Sequence, residues 1–304
     1  MKILVTGGTG TIGKQLCDEL LRKKFAIAAL TRNVKTARDI IHARTHILEW
    51  DPSKHDTAWA EKCGEIDAVV NLAGAPIAGK RWTRERRKLL MSSRIHAAET
   101  IIKAVKEQKI KPDVLINASA IGYYDLHPDK AFTEDDGPGS GFLSEICKEW
   151  EKTALMAEES GVRVCRIRIG AVLSKDGGAL QKMLPVFRLG LGGRLGNGSQ
   201  WFSWIHITDI INSIIHLIGN NTLQGAFNLV SPQPVTNTEF TEAMSNALNK
   251  PAFFTVPKAV LRLRFGEMTD ILTGSQKVLP QRLTDSGFQF TFPGILPALK
   301  DLLS

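Results

Sequence analysis

The chain has 304 residues, of which 43% are hydrophobic and 23% charged. That supply of apolar side chains is ample for a packed core and excludes disorder as the main state. Lys and Arg number 39 against 31 acids, a formal charge of +8, which favours anionic small molecules but is too diffuse to argue for nucleic acid.

In chain order, residues 3–5 read as a strand, and Ile12, Leu16 and Leu20 then recur at helical spacing. Residues 25–30, 69–72, 114–116 and 162–169 are further apolar runs of strand length, with helices expected over 85–107 and 142–159. Strands alternating with helices predict an α/β fold, a doubly wound parallel Rossmann sheet covered on both faces. After Gly170 the pattern changes. Gly190, Gly192, Gly193, Gly196 and Gly198 crowd one loop, and Ser231-Pro232-Gln233-Pro234 interrupts the chain again. Beyond it, Asn237 is expected to cap a helix carrying Phe240, Met244, Ala247 and Leu248. Phe288, Phe290 and Phe292 read as a short strand before a terminal helix. The division predicted is a nucleotide-binding domain over residues 1–230 and a smaller α+β part over 231–304 that folds across the ligand face.

The four cysteines, Cys17, Cys63, Cys147 and Cys165, form no Cys-x-x-Cys pair, so a reduced, cytoplasmic setting is expected. The first seven residues run straight into glycine, leaving no apolar signal stretch. No apolar run approaches the ~18 residues of a membrane span. A soluble protein without a membrane partner is expected.

The motif with most chemical content is Thr6-Gly7-Gly8-Thr9-Gly10-Thr11-Ile12-Gly13, which follows a strand and opens a helix. Gly8 and Gly10 let the backbone turn tightly and approach a pyrophosphate, and Gly13 lets helix and strand pack closely. The helix N-terminus offers free N–H groups and a positive dipole end to the anion. A ligand-free strand–helix turn is the alternative, and the βαβ context argues against it. The second strand ends in Thr31 and Arg32, with Lys35 close behind, where an NAD binder carries an acid. A guanidinium there grips a 2′-phosphate that a carboxylate would repel, so NADP(H) is the expected cofactor.

These residues resemble the extended short-chain dehydrogenase/reductases, and within them the sugar-nucleotide epimerase-like family. Besides the glycine loop, the resemblance is carried by Asn71-Leu72-Ala73-Gly74, Ser92-Ser93-Arg94, Gly122-Tyr123-Tyr124 and the run Arg168-Ile169-Gly170-Ala171-Val172-Leu173. Residues 187–193, 204–209, 266–268 and 275–282 extend it over nearly the whole chain. The resemblance implies that Leu72, Ala73 and Gly74 line the cofactor's ribose and pyrophosphate, and that Asp51 lies near its adenine. It also implies that Arg94 reaches toward the phosphates and that Gly170 and Val172 flank the nicotinamide.

The superfamily's catalytic Tyr-x-x-x-Lys is missing. Its spacing sets an ammonium one helical turn from a phenol, lowering the phenol's pKa. The only tyrosines are Tyr123 and Tyr124, with His127 and Pro128 four residues on. Counting along the expected helix puts Ser144 in the tyrosine's place and Lys148 in the lysine's. Ser119 matches the family serine and would orient a substrate oxygen. Tyr123, Tyr124 and Lys148 are the candidates for moving the proton, and packing in a loop is the competing role for both rings.

Residues 81–88 hold five basic side chains in eight, with Trp82 alone among them for stacking; a solvated helix face is the default. The loop 190–198, with Arg188, Arg194, Gln200, Trp201 and Trp204, is the candidate substrate wall. His206 and Asp209 have no third ligand at metal spacing, so no metal site is expected; a structural role is expected instead, with Asp209 opening a helix. The sequence thus predicts an NADP-dependent oxidoreductase or sugar-nucleotide epimerase, monomeric or homodimeric, acting on a small anionic molecule. A non-catalytic NADPH-binding sensor is the alternative.

Overall fold

The computed structural model describes the backbone of all 304 residues and every side chain except those of Arg264 and Phe265. The first half alternates β1 (Lys2–Thr6), α1 (Thr11–Arg22), β2 (Ala26–Thr31), α2 (Val34–Ile40), β3 (His46–Glu49) and α3 (Ala58–Cys63). It continues through β4 (Ala68–Asn71), α4 (Arg84–Lys106), β5 (Val114–Ala120), β6 (His127–Phe132), α5 (Gly141–Leu155) and β7 (Arg163–Ile169). Then come β8 (Ala171–Ser174), α6 (Gly178–Arg188), β9 (Gly193–Leu195), β10 (Trp201–Phe202), β11 (Trp204–His206), α7 (Ile207–Gly219) and β12 (Gly225–Leu229). The last quarter holds β13 (Val235–Thr236), α8 (Asn237–Leu248), β14 (Phe254–Val256), α9 (Lys258–Phe265), α10 (Thr269–Thr273), β15 (Gln276–Val278), α11 (Gln281–Asp285) and α12 (Ile295–Leu303).

Seven strands form one parallel sheet in the order β12-β7-β5-β4-β1-β2-β3. The expected doubly wound Rossmann architecture is therefore present. Ile3, Leu4, Val5, Val69, Val70 and Ile116 are fully buried, as strands covered on both faces must be. Each such side chain contributes about 1.5–3 kcal/mol on leaving water. Helix α1 turns Leu16, Cys17 and Leu20 onto the sheet, the face its spacing predicts. Strand order reverses between β1 and β4, and the crevice beyond their carboxyl ends is where such folds bind ligands.

The C-terminal part is tied to this core at several points. Helix α12 packs on α8, β10 pairs with β13, and β15 pairs with β6. Three local expectations are corrected. Residues 288–292 form no strand, because the backbone N–H groups of Thr291 and Phe292 donate to the Asp209 carboxylate, at 2.7 and 2.9 Å. Helix α7 is opened not by Asp209 but by His206, whose Nδ1 accepts from the N–H of Thr208. The cap of α8 is Thr236, in a reciprocal capping box with Glu239, while Asn237 accepts from the N–H of Leu195. No helix among the described residues is long and apolar enough to cross a membrane.

Candidate functional site

The glycine loop leaves the carboxyl end of β1 at the strand-order reversal. Gly7 adopts φ +70°, and a Cβ there would lie 2.7 Å from the Leu72 carbonyl oxygen. Gly13 has no room either, since its Cβ would fall 2.8 Å from the Cα of Gly8. The N–H of Gly10 donates to the Gly7 carbonyl at 3.0 Å, closing the turn. Gly10 then caps α1 without any side-chain acceptor for the first-turn amides. A tight backbone concavity with unclaimed N–H groups at a helix start suits an anion, so these residues fit the diphosphate of a dinucleotide.

Across the crevice, Thr6 donates to Asn71 Oδ1 at 2.6 Å and Asn71 Nδ2 donates to Asn117 Oδ1 at 2.7 Å, all buried. This chain of amides fixes Leu72, Ala73 and Gly74 against the glycine loop. At the far end, Thr31 is half-buried and Arg32 exposed. Asp51 caps the turn Pro52–Lys54. Hydrogen bonds from Ser53 hold its carboxyl below the usual range, with Lys54 and Arg32 adding smaller pulls.

A cavity of about 940 Å³ opens from this crevice. It brings together Ile12, Leu72, Arg94, Ser119, Tyr124 and Gly170 of the sequence-derived set, while Tyr123, Lys148 and Val172 lie outside its lining. The lining also holds apolar and aromatic side chains, with Trp82, Phe142, Leu143, Trp201 and Phe202. Gly170 is required there, because a Cβ would come within 2.7 Å of both the Ser203 carbonyl and Val230.

Helix α5 corrects the sequence count by one residue. Leu143 and Cys147, one turn apart, face the cavity. Ser144 is buried with its hydroxyl spent on the carbonyls of Gly139 and Tyr123, at 2.7 and 3.0 Å. Lys148 is on the exposed side of the helix. The physical reason is amphipathicity: Leu143, Ile146, Cys147 and Trp150 make the inward stripe, and the ammonium is left in water. Burial pushes the Cys147 thiol up to about 11, so it is a neutral group.

Ser119 donates to Glu151 Oε1 at 2.7 Å. Glu151 in turn accepts from Arg168 at both oxygens, at 2.8 and 3.0 Å, and from Arg166 at 3.1 Å. Arg168 also donates to the Tyr124 hydroxyl at 2.8 Å, and that hydroxyl donates to Asn228 Oδ1 at 2.8 Å. Burial pushes the Tyr124 phenol up to about 12 against the opposing pull of Arg168. Its proton is therefore committed to the network. Tyr123 covers the guanidinium, its ring centroid 3.5 Å from Arg168 Cζ. Sequence reading missed Glu151 and Arg168 as site residues. The available signal was Arg166 and Arg168 at alternate positions among the apolar residues that follow Arg163 on this strand.

Other sequence candidates separate on inspection. The loop 190–198 does not line the cavity, whereas Gln200 and Trp201 do. Trp204 is fully buried, its indole N–H donating to the Gln233 carbonyl. Within the basic run, Arg87 lines the cavity beside Phe142 and pairs with Glu267. His206 and Asp209 serve the capping and tail contacts given above. The single metal-like group among the described residues is His55, His96 and Glu99, away from the cavity lining and largely exposed.

The NAD dependent epimerase/dehydratase family matches residues 3–229, and a domain of unknown function (DUF1731) matches residues 256–302. An epimerase family protein of Staphylococcus epidermidis is 38% identical over 303 residues, 99% of each chain. The chloroplastic SDR39U1 homolog of Arabidopsis thaliana, an epimerase family protein, is 37% identical over 305 residues, covering all of this chain and 87% of that one. The crystal structure of human epimerase family protein SDR39U1 (isoform 2) with NADPH aligns with a TM-score of 0.90 at 32% identity, covering 99% of both chains.

Proposed function

Since the chain belongs to the NAD dependent epimerase/dehydratase family, we propose that it is an NADP(H)-binding, epimerase-like oxidoreductase acting on a small molecule. The observation that carries this reading is the uncapped N-terminus of α1 behind a glycine loop that admits no Cβ at Gly7 or Gly13. The NADPH in the human relative's crystal supports the choice of cofactor. Gly7, Gly8, Thr9, Gly10, Thr11, Ile12 and Gly13 would hold the diphosphate, with Leu72, Ala73, Gly74, Gly170 and Val172 along the remainder. Thr31 and Arg32 would take the 2′-phosphate, and Asp51 would lie by the adenine.

When bound, the nicotinamide supplies or accepts a hydride. The chain's own part is to orient and to exclude water. Ser119, held by Glu151, presents a hydroxyl that can turn to a substrate oxygen. The proton has no phenol–ammonium pair to carry it, since Leu143 and Cys147 occupy the cavity-facing positions. That same observation favours a second reading, a non-catalytic NADPH-binding sensor. Residues 231–304 act in either case as the cover of the substrate side. Four buried free cysteines support a cytoplasmic setting, and the reading takes the protein as a monomer or homodimer.

The test is a fluorescence titration of cofactor-stripped protein with NADPH and NADH in parallel. A clear NADPH preference is expected, and binding of neither would remove both readings. Turnover separates them: NADPH oxidation that disappears in Ser119→Ala excludes the sensor.

A further inference from the structure

Two arginines are buried at this site and only one has a counter-ion. Arg168 is held by Glu151 through two hydrogen bonds. Arg94, 8% exposed, has no carboxylate within ion-pair distance among the described residues. Its Nη1 donates to the Leu90 carbonyl at 2.9 Å, and the guanidinium lies 5.2 Å from the ring centroid of Trp150. Burial holds Arg94 down to about 10. Beside it, the Trp150 indole N–H is buried without any acceptor. Both residues line the cavity, Arg94 from α4 and Trp150 from α5, as does Cys147. A buried unpaired charge and an unpaired donor each cost stability that a bound anion would return.

The chemistry around them narrows the ligand. The same cavity is lined largely by apolar and aromatic side chains, among them Trp82 and Phe142, edge to face at 5.4 Å, and Trp201. The cation is present without a phenol to activate, so its charge is available for the substrate itself.

We propose that Arg94 and Trp150 form an oxyanion-binding corner for a planar, conjugated carbonyl substrate of the quinone or enone class. This deepens the reading given under Proposed function and rests on it for the hydride. The hydride adds to the electrophilic carbon of the conjugated system, breaking its π bond. The displaced electron pair settles on the carbonyl oxygen as a delocalised oxyanion, held by the Arg94 guanidinium and the Trp150 N–H. Water supplies the one proton that completes the dihydro product. Delocalisation makes the oxyanion stable enough that no side-chain acid is required, which accounts for Leu143 and Cys147. Arg94 packs on Gly74, where a Cβ would lie 3.1 Å from its Cζ, so the corner adjoins the cofactor loop.

The test is isothermal titration calorimetry of the full-length protein, with and without NADP⁺, using 2-hydroxy-1,4-naphthoquinone as an oxyanion probe. Neutral 1,4-naphthoquinone and UDP-glucose are the controls. The oxyanion should bind most tightly, and Arg94→Leu should weaken it at least about tenfold, the worth of one charge-assisted hydrogen bond. Arg94→Lys should recover part of the loss, and Trp150→Phe should show a smaller one. NADPH affinity should fall by less than probe affinity in all three variants, and wild-type far-ultraviolet circular dichroism should report that they are folded. In parallel, NADPH oxidation should be seen with the neutral quinone and not with UDP-glucose. Oxyanion binding indifferent to Arg94, equal loss of NADPH and probe in Arg94→Leu, or preference for UDP-glucose would each overturn the proposal. If the wild type fails to bind NADPH yet holds the oxyanion through Arg94, the anion corner is supported and the cofactor reading alone falls.

Discussion

Glu151 and Arg168 meet as a fully buried bidentate pair, each side chain 3% exposed, with Nε–Oε1 at 2.8 Å. The same carboxylate oxygen accepts the Ser119 hydroxyl, so the candidate substrate-orienting group hangs on a structural ion pair. Removing one partner strands the other charge, at a cost of about 3–5 kcal/mol. Arg168→Leu should therefore lower Tm by roughly 10 °C, measured by calorimetry. Replacing both with leucine should recover part of that loss. An Arg168→Leu protein melting within about 2 °C of wild type would show that the pair is not coupled as drawn.

Arg32 is exposed at the end of β2, where its charge can serve a ligand without structural cost. Arg32→Ala should weaken NADPH binding on the order of tenfold or more while leaving NADH nearly unchanged. Parallel titrations decide it. Equal losses for the two cofactors mean that the 2′-phosphate is read elsewhere.

Two glycines of one loop should fail differently. A Cβ on Gly10 meets nothing closer than the Gly7 carbonyl at 3.3 Å, so Gly10→Leu should fold and melt near wild type but lose NADPH. A Cβ on Gly13 runs into the Gly8 backbone, so Gly13→Val should lower stability itself by about 1–3 kcal/mol. Comparing Tm with affinity for the two variants checks the assignment, and retained NADPH binding in Gly10→Leu would refute it.

His206 sets a pH limit. Burial holds its imidazole below the ordinary value, against the opposing pulls of Asp301 and Asp209. The unfolded chain takes up this proton at about pH 6.5 while the folded chain resists it. Stability contributed by the neutral ring is therefore complete above that pH and falls as the pH drops through the depressed folded value. His206→Asn, which keeps a capping acceptor, should flatten the acid limb of a Tm-against-pH curve. An unchanged slope would assign acid sensitivity to other groups.

The sheet was legible because its strands are near-continuous apolar runs, which read the same in any context. The glycine loop was legible because backbone crowding restricts residue type at fixed spacing. Helix α5 shows the boundary of such reading. Ser144 and Lys148 keep the motif's spacing as well as Leu143 and Cys147 do, and only the stripe completed by Ile146 and Trp150 selects the latter pair. The network joining Ser119, Glu151, Arg168, Tyr124 and Asn228 spans more than a hundred residues of sequence. It arises from strand order, which no local pattern encodes. The Phe288–Phe292 segment misled for a related reason: its alternation is real, but its N–H groups find the distant carboxylate of Asp209 in place of a neighbouring strand.

The pairing of β15 with β6 bears on how this protein can be taken apart. Gln276, on β15, donates to the carbonyls of Ile121, Tyr124 and Asp125, and Ser203 donates to the Gln276 carbonyl at 2.8 Å. Cutting the chain near residue 230 would thus unclasp the tyrosine loop of the upstream half as well as uncover the cavity. The two halves are not interchangeable cassettes. A chimaera that borrows the tail of a relative must import the segment around residues 121–132 with it, or rebuild the clasp residue by residue.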